Sequence, residues 1–582
     1  VNATGNPESV LAGVSRRFWR GPALRDLAFL AAVVVMVLWP LAATDWWDSH
    51  EGVRYLLRLD ALQQNVIAQG THPRWIPECA AGRGIPYFTY YAPGFAYLCL
   101  PFVPLGQTAA VKCGIVLVTL AGALAAFALG ARWGGRAGGH LAALLAVASP
   151  YPIFNLYMRG DLAEYAANHL AVGVLWLVWR VATGRGGLRA ALGAGLLHGL
   201  MITQHNISAL LFTGTIVVFG AGMGVVEHAR GRAWALLALV PLTGVMVSAW
   251  FWAPSLLQLS LVSMAGITTG TYEPAGNLSA DPQWVWRITR SAPVLGPLLT
   301  GAVLAVFAGA VAGRIHRARG LFLAGGIAAL LLLTQPVSAW FWRHVPLVEY
   351  VQFPWRLMGP ATVMAALAAA HLPRLAPRGP WRRAAGLAPA ALALATALGL
   401  AVSFRNIPPD TFPVEARRIS YWMTEPWPGN QYHEPMTAGE FAPITADPYQ
   451  WPAFAGRMAM AQDAGGPVVL HAARRGAELA ASLDGRAGAV MLAQFWHPTW
   501  RASVDGAPIH CQAGPGGCVS VSVPERGREL RLWPVRTNLE TAAESVSALA
   551  VAVIVVFMAA LSARRRARNR DSGPASVPPL QR

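Results

Sequence analysis

Apolar residues run through this chain in long blocks, separated by short polar connections that carry arginine. Blocks of about 20 residues are long enough to cross a hydrocarbon layer of about 30 Å as helices. They fall near 27–43, 108–131, 138–157, 163–181, 188–204, 207–226, 233–256, 293–313, 320–341, 356–374, 383–403 and 542–562. A further run, APGFAYLCLPFVPL from Ala92 to Leu105, is short and broken by Pro93, Pro101 and Pro104, which predicts an interfacial or re-entrant helix. Ahead of it lies EGVRYLLRLDALQQNVIAQG, where Leu56, Leu59, Leu62 and Val66 recur at helical spacing. That pattern predicts a helix lying on the membrane surface with Arg54, Arg58 and Asp60 on its wetter side. The texture changes between 404 and 541. After a Pro-rich, aromatic stretch come the alternating runs VVLHAA, AVMLAQFW and LRLWPV, with DG and GPGG turns between them, which predict a small antiparallel β-domain.

Composition agrees with the blocks. A chain of 582 residues with 55% hydrophobic and 13% charged residues reads as a polytopic α-helical membrane protein. The formal charge of +18 does not point to nucleic acid, because its arginines are scattered among apolar runs rather than gathered on one soluble face. They serve better to orient the chain. If the short run 92–105 does not span, all the basic connections, from RRFWR before the first span to ARRRARNR after the last, share one face. The expectation is therefore twelve spans with both termini cytoplasmic in a bacterial inner membrane. Residues 1–403 form the transmembrane domain with an outward first loop at 44–107, residues 404–541 an extracytoplasmic β-rich domain, 542–562 the last span and 563–582 a basic cytoplasmic tail. The first apolar run lacks a cleavage site and is expected to remain as an anchor. No internal repeat of 20–50 residues is evident. Cys79, Cys99 and Cys113 are isolated, whereas Cys511 and Cys518 flank QAGPGG and are candidates for a disulfide if that loop lies in an oxidising compartment.

With that orientation the polar groups of interest gather on the outer side. The first loop begins TDWWDSHEG, with Asp45, Asp48, His50 and Glu51 at the mouth of the first span. A solvated loop that keeps the span from sliding is the bland reading, and a functional acid cluster is the sharper one. In MRGDLAEYAANH, Arg159, Asp161 and Glu164 stand where one span ends and the next begins; Asp161 and Glu164 are three apart and share a helix face. Asp161 as N-cap with Glu164 three residues on is the structural alternative. His205 and Asn206 in QHN are either a polar turn or part of the site. In VEYVQFPWRLMG, Gln352 and Arg356 open an outer span end, and an outward arginine at headgroup depth is suited to a lipid phosphate.

Outward carboxylates beside outward arginines fit one reaction in particular. A lipid-linked sugar phosphate carries a good leaving group at the membrane surface; a carboxylate can act as general base on an acceptor hydroxyl, and arginines or a carboxylate-held divalent metal (Mg or Mn) can stabilise the departing phosphate. No Walker, Rossmann or zinc motif is present. Two rivals stand beside the transferase: a transporter or flippase of lipid-linked glycans, which would place ionisable groups at mid-membrane depth, and a non-catalytic envelope polysaccharide assembly protein.

The same residues carry a resemblance. A first span followed by an outward acidic loop, surface helices and a second acid after the third span resembles the GT-C glycosyltransferase superfamily. More narrowly, DSHEGVRYLLRL, GTHPRWIPECAAGRGIPYFTYYAPGFAYL, LYMRGDLAEYAANHLA, QHNISALLFTG and VQFPWRLMGP resemble the bacterial membrane family labelled 6-pyruvoyl-tetrahydropterin synthase-related, close to the YfhO-like proteins. HPTWRASVDGAPI resembles the β-domain of the latter. The resemblance implies a GT-C-like fold and a polyprenyl-phosphate-sugar donor. By position it places the first-loop acid on Asp48, with Asp45 or Glu51 as alternatives, and the second acid on Asp161, with Glu164 as alternative. His50 then has three open roles: metal ligand with Asp48 and Asp161, partner of the donor phosphate, or orienter of Asp48. Arg159, His205, Gln352 and Arg356 are candidates to contact the substrate.

Overall fold

The computed structural model describes residues 23–42, 45–47, 49–70, 72–263, 270–278, 292–375, 458–463 and 466–571, together with the single positions 391, 443 and 445. Each expected apolar block within these residues is helical. The first is α1 (Leu24–Ala42). The first loop then supplies α2 (Gly52–Gln69) and a short helix, α3 (Gly94–Cys99), continued as a 3₁₀ turn to Leu105. At this length the run 92–105 is too short to span, as its prolines suggest.

One long helical stretch, α4 (Gln107–Ala148), contains a reversal at Gly135, whose φ of 72° suits glycine. Its two arms fold back on each other through small residues: a Cβ on Gly130 would meet that of Ala142, and one on Gly139 would meet the Phe127 ring. The two apolar blocks on either side of Arg132 and Arg136 are thus one helical hairpin. Next come α5 (Leu162–Ala182), α6 (Gly187–Ile202), α7 (Asn206–Val226), α8 (Gly231–Val247) with α9 (Ala249–Leu257), α10 (Ala292–Val311), α11 (Arg317–Leu332) with α12 (Ala339–His344), α13 (Met358–Ala369) and α14 (Asn538–Asp571). The α8–α9 pair bends by 72° and the α11–α12 pair, counted from Pro336, by 83°. By length and composition, four helices among the described residues suffice to cross a membrane, or up to six if each bent pair is one span. The expected span 383–403 lies outside the described residues.

The helices have two chemically distinct ends. At one, Arg136 Nε donates to Asp26 Oδ1 (2.9 Å) and Arg319 Nε to Glu227 Oε1 (3.2 Å), so basic connections meet acids there. At the other end lie the first loop, the α4–α5 and α6–α7 connections, and the segment before α13. They are tied together by backbone bonds such as Gly94 N to Thr203 O (2.7 Å) and His50 N to Met158 O (3.0 Å).

Among the described residues the alternating runs form ten strands: β1 (Ala459–Asp463), β2 (Gly466–Val469), β3 (Ala472–Arg475), β4 (Glu478–Ser482), β5 (Gly488–Phe495), β6 (Trp500–Val504), β7 (Ala507–Ile509), β8 (Cys511–Ala513), β9 (Cys518–Val523) and β10 (Glu529–Pro534). They make two five-stranded sheets, ordered β2-β1-β5-β9-β8 and β3-β4-β10-β6-β7, with antiparallel neighbours throughout. The Asp505-Gly506 pair between β6 and β7 has positive φ at both positions, the requirement of a two-residue hairpin turn. Inward residues such as Leu492, Phe495, Val519, Leu530 and Leu532 are buried in the common core. The sheets cover the second half of the expected 404–541 region; 404–457 lies, apart from 443 and 445, outside the described residues.

The expected Cys511–Cys518 disulfide is not formed: both thiols are free. The reason is register. Cys511 stands opposite Val521 in the β8–β9 ladder, so Cys518 is offset by three positions, and an odd offset along a strand turns a side chain to the other face.

The β-domain docks on the first loop. Trp75 Nε1 donates to Gln494 Oε1 (2.7 Å), Gln494 Nε2 donates to Gly82 O (2.8 Å), and Phe495 N donates to Arg83 O (2.6 Å). Trp75 also packs edge-on to Trp500, ring centroids 4.9 Å apart. Gly84, with φ of 71°, allows this approach, since a Cβ there would lie 2.3 Å from Trp75 Nε1.

Candidate functional site

The site is built around a sharp corner in the chain. After α4 the backbone passes through a π-helical turn, Phe154–Arg159, and reverses at Gly160, whose φ of 63° lies in the left-handed region. Asp161 then opens α5. Its Oδ1 accepts the Glu164 backbone N–H at 3.0 Å, so the capping role anticipated from sequence is present. It is not the whole role.

Arg159 lies between the two acids. Its Nη2 donates to Asp161 Oδ2 (2.7 Å), while Nη1 donates to Glu164 Oε2 (2.8 Å) and Asn155 Oδ1 (2.7 Å). All three charged groups are buried. The remaining carboxylate oxygens are also claimed. Tyr55 OH donates to Asp161 Oδ1 at 2.9 Å, Asn155 Nδ2 donates to Glu164 Oε1 at 3.1 Å, and Tyr151 OH makes a short hydrogen bond to that same Oε1. Arg356, set in a 3₁₀ turn, brings Nε to 3.6 Å from Glu164 Oε2 and anchors Nη1 on Val351 O and Gln352 Oε1, each at 3.1 Å. Gln352 thus serves as an acceptor for Arg356 and itself adopts φ 64°.

His205 is the N-cap of α7. Its Nδ1 lies 3.2 Å from the Ser208 backbone N–H and 2.9 Å from Ser208 Oγ, and its Nε2 lies 3.8 Å from Asp161 Oδ2. Burial lowers the imidazole's pKa below its ordinary value, against the pull of Asp161 and Glu164. For Asp161 burial alone would raise the carboxyl's pKa, but His205, Arg159 and Arg356 outweigh it and hold the group well below the usual carboxylate range.

The first loop is pinned to this corner through its backbone. Trp47 Nε1 donates to Leu156 O (3.1 Å), His50 N to Met158 O (3.0 Å) and Glu51 N to Arg159 O (2.7 Å). A Cβ on Gly160 would lie 2.5 Å from Gly52 N, so the close approach depends on glycine. The His50 side chain is exposed and that of Glu51 half-buried. Asp48 lies outside the described residues.

Asp161, Glu164 and His205 offer ligand atoms within 4.8 Å of one another, a set different from the Asp48, His50 and Asp161 considered from sequence. A divalent cation does not fit among them as they stand. The Arg159 guanidinium fills the space between the carboxylates, and each carboxylate oxygen already accepts a hydrogen bond.

Two expectations need correction. Arg58 and Asp60 are not on the wetter face of α2; both are buried, because the segment 72–107 folds over that face. Asp60 accepts from Gln64 (2.9 Å) and Gln107 (2.6 Å), and Arg58 donates from Nε to Tyr87 OH (2.7 Å). Arg159, considered as a phosphate contact, is instead committed to Asp161 and Glu164. Tyr55, Tyr151 and Asn155, which complete the cluster, were not singled out from sequence. The signal available was thin: Tyr55 stands on the strip of α2 that otherwise reads as apolar.

Residues 88–407, more than half of the chain, match the model of a family described as the 6-pyruvoyl-tetrahydropterin synthase related domain, a membrane protein. Among solved structures the chain is similar to the arabinofuranosyltransferase AftD from Mycobacteria, at 19% identity and a TM-score of 0.44, covering 66% of this chain and 27% of that one. It is similar also to the Archaeoglobus fulgidus oligosaccharyltransferase (12%, 0.39, 65% and 53%) and to ArnT from Cupriavidus metallidurans bound to undecaprenyl phosphate (14%, 0.38, 68% and 69%). The chain thus spans about a quarter of the length of AftD and about half of the oligosaccharyltransferase. No curated protein matches it. By the extent of the family match, the chain belongs to the 6-pyruvoyl-tetrahydropterin synthase-related membrane proteins.

Proposed function

We propose that this protein is an integral membrane glycosyltransferase that moves a sugar from a polyprenyl-phosphate donor to an acceptor hydroxyl on a glycan, lipid or protein. The reaction takes place at the extracytoplasmic face of a bacterial inner membrane. One observation carries the reading. Segments 47–55, 151–164, 205–208 and 351–356, distant in sequence, converge at one end of the helices on a buried, charge-matched group of two carboxylates and two guanidiniums. Burying four charges is costly, and replacing such a network by apolar residues is often neutral or stabilising. A bundle that only had to hold together would gain little from it, whereas a site that handles a sugar phosphate needs fixed charges at headgroup depth.

In the proposed step the acceptor oxygen attacks the anomeric carbon of the sugar while the bond from that carbon to the phosphate oxygen breaks. The electron pair leaves with the polyprenyl phosphate, and the hydroxyl proton passes to a carboxylate. Asp48 is the assigned base, from its place in the first loop; Glu51, whose N–H is fixed to Arg159 O, is the alternative. Asp161 and Glu164 act through Arg159 and Tyr55, holding the corner rigid against the loop. Arg356 and His205 line the same charged wall.

The test is donor turnover by the full chain in proteoliposomes, supplied with a set of radiolabelled polyprenyl-phosphate sugars and membrane extract as acceptor. Wild type is expected to release polyprenyl phosphate, and a folded Asp48→Asn variant to lose about 10²–10⁴-fold, the usual contribution of a general base. If no donor in the set is consumed by wild type, the transferase reading fails.

A further inference from the structure

We propose that Arg58 is the seat for the phosphate of the lipid-linked donor. This inference rests on the transferase reading and deepens it. Four buried charges at the corner balance: Asp161 and Glu164 against Arg159 and Arg356. Arg58 is a further buried charge, 3% exposed, and forms no ion pair among the described residues; Asp60, buried two positions on in α2, accepts from Gln64 and Gln107 instead. Its neighbours are phenols. Nε donates to Tyr87 OH at 2.7 Å, and the guanidinium carbon lies 3.8 Å from the Tyr91 ring centroid and 4.6 Å from that of Tyr55. Its Nη1 is buried without a hydrogen-bond partner. Glu51, half-buried in the loop, acts on it only at longer range.

Aromatic faces attract a cation but do not neutralise it. A guanidinium taken out of water is costly unless an anion and further hydrogen bonds meet it. Here the planar donor fork retains an unused edge, and that fork matches two oxygens of a phosphate. The place is also suitable. Tyr55 OH lies 3.2 Å from Tyr91 OH and donates to Asp161 Oδ1 at 2.9 Å, so the unmatched cation stands one tyrosine away from the acid cluster. The ligand chemistry is a phosphate ester, and its position on a loop helix beside the membrane mouth favours a lipid-borne one over free phosphate.

The experiment titrates the detergent-solubilised full chain with farnesyl phosphate, inorganic phosphate or farnesol and reads thermal stabilisation. Farnesyl phosphate is expected to stabilise wild type more than farnesol does, and inorganic phosphate to act only at far higher concentration. Arg58→Met, which keeps the aliphatic packing, should weaken farnesyl phosphate binding about tenfold or more, as loss of a charge-assisted hydrogen bond does. Arg58→Lys should bind more weakly than wild type but more tightly than the methionine variant. Equal binding by wild type and Arg58→Met overturns the proposal; if that variant does not fold, unchanged binding by Arg58→Lys overturns it. Equal affinity for inorganic phosphate overturns the lipid assignment. Sugar transfer is read separately: Arg58-dependent binding without transfer removes the transferase reading alone, and transfer indifferent to Arg58 removes this inference alone.

Discussion

The Tyr55 hydroxyl and the Asp161 carboxylate, on helices from different parts of the chain, are joined at 2.9 Å. The same hydroxyl accepts the backbone N–H of Ala163 at 3.0 Å, in the first turn of α5. Tyr55 therefore acts as a second cap on that helix, supplied by the first loop. Tyr55→Phe removes both bonds and leaves the Ala163 N–H buried without an acceptor. The expected cost is about 1–3 kcal/mol, read as a lower midpoint of thermal unfolding in detergent. Transfer activity should fall further than stability does, because the loop loses its hold on the acid cluster. A variant with unchanged melting and unchanged turnover would remove Tyr55 from this role.

Arg159→Met leaves two buried carboxylates facing each other with only Arg356 nearby. Breaking a buried ion pair from one side costs about 3–5 kcal/mol. The same change vacates the space between Asp161, Glu164 and His205, whose ligand atoms lie within 4.8 Å of one another. Mn²⁺ is therefore expected to raise the melting temperature of Arg159→Met and to have little effect on wild type, where the guanidinium already fills that space. Equal stabilisation of the two proteins by Mn²⁺, or turnover of wild type abolished by chelation and restored by Mn²⁺, would show that the arginine does not stand in the metal's place.

These two sites differ in how legible they were. The cap at Asp161 can be read from DLAE at the start of an apolar run, because capping is local and depends on residues three apart. The β-domain can likewise be read from period-two runs and DG turns. Arg58 was misplaced for a physical reason. Helical spacing identifies a polar strip on α2 but not what later covers it, and here YFTYY (87–91) folds over the strip and turns a solvated arginine into a buried one. The role of Arg159 was hidden in a similar way, since an outward arginine beside two acids is the same string whether it awaits a phosphate or is already paired. The absent Cys511–Cys518 bridge shows the limit of loop spacing, because register decides which face each thiol occupies.

The β-domain should respond to acid through His497. Burial pushes this imidazole down to about 4 from an ordinary 6.5, and Nδ1 is 2.8 Å from Thr499 Oγ1. The unfolded chain then binds more protons than the folded one between these values. The stability contributed is fully present above pH 6.5 and is lost as the pH falls towards 4, on the order of 2–3 kcal/mol. Hydrogen exchange of β5 and β6 at pH 7, 5.5 and 4 should show falling protection. His497→Asn, which keeps an acceptor near Nδ1 but does not titrate, should flatten that dependence; an unchanged slope in the variant assigns the acid response to other groups.

Gly160 offers the sharpest separation of fold from function. Alanine there would carry φ 63°, unfavourable by about 1–2 kcal/mol for a residue with a Cβ, and its methyl would lie 2.5 Å from Gly52 N and 2.6 Å from Ser49 Oγ. Those contacts belong to the first loop, not to the helices, so the strain is relieved by pushing the loop away. The bonds from His50 N to Met158 O and from Glu51 N to Arg159 O would lengthen first. Gly160→Ala is therefore expected to insert and melt within a few degrees of wild type while losing most of its donor turnover. Adding Gly52→Ala should cost little more activity, since both methyls would press on Ser49 Oγ, at 2.3 and 2.6 Å, and coupled sites are not additive. If Gly160→Ala turns over donor at the wild-type rate, the pinning of the first loop to this corner is not needed for the chemistry.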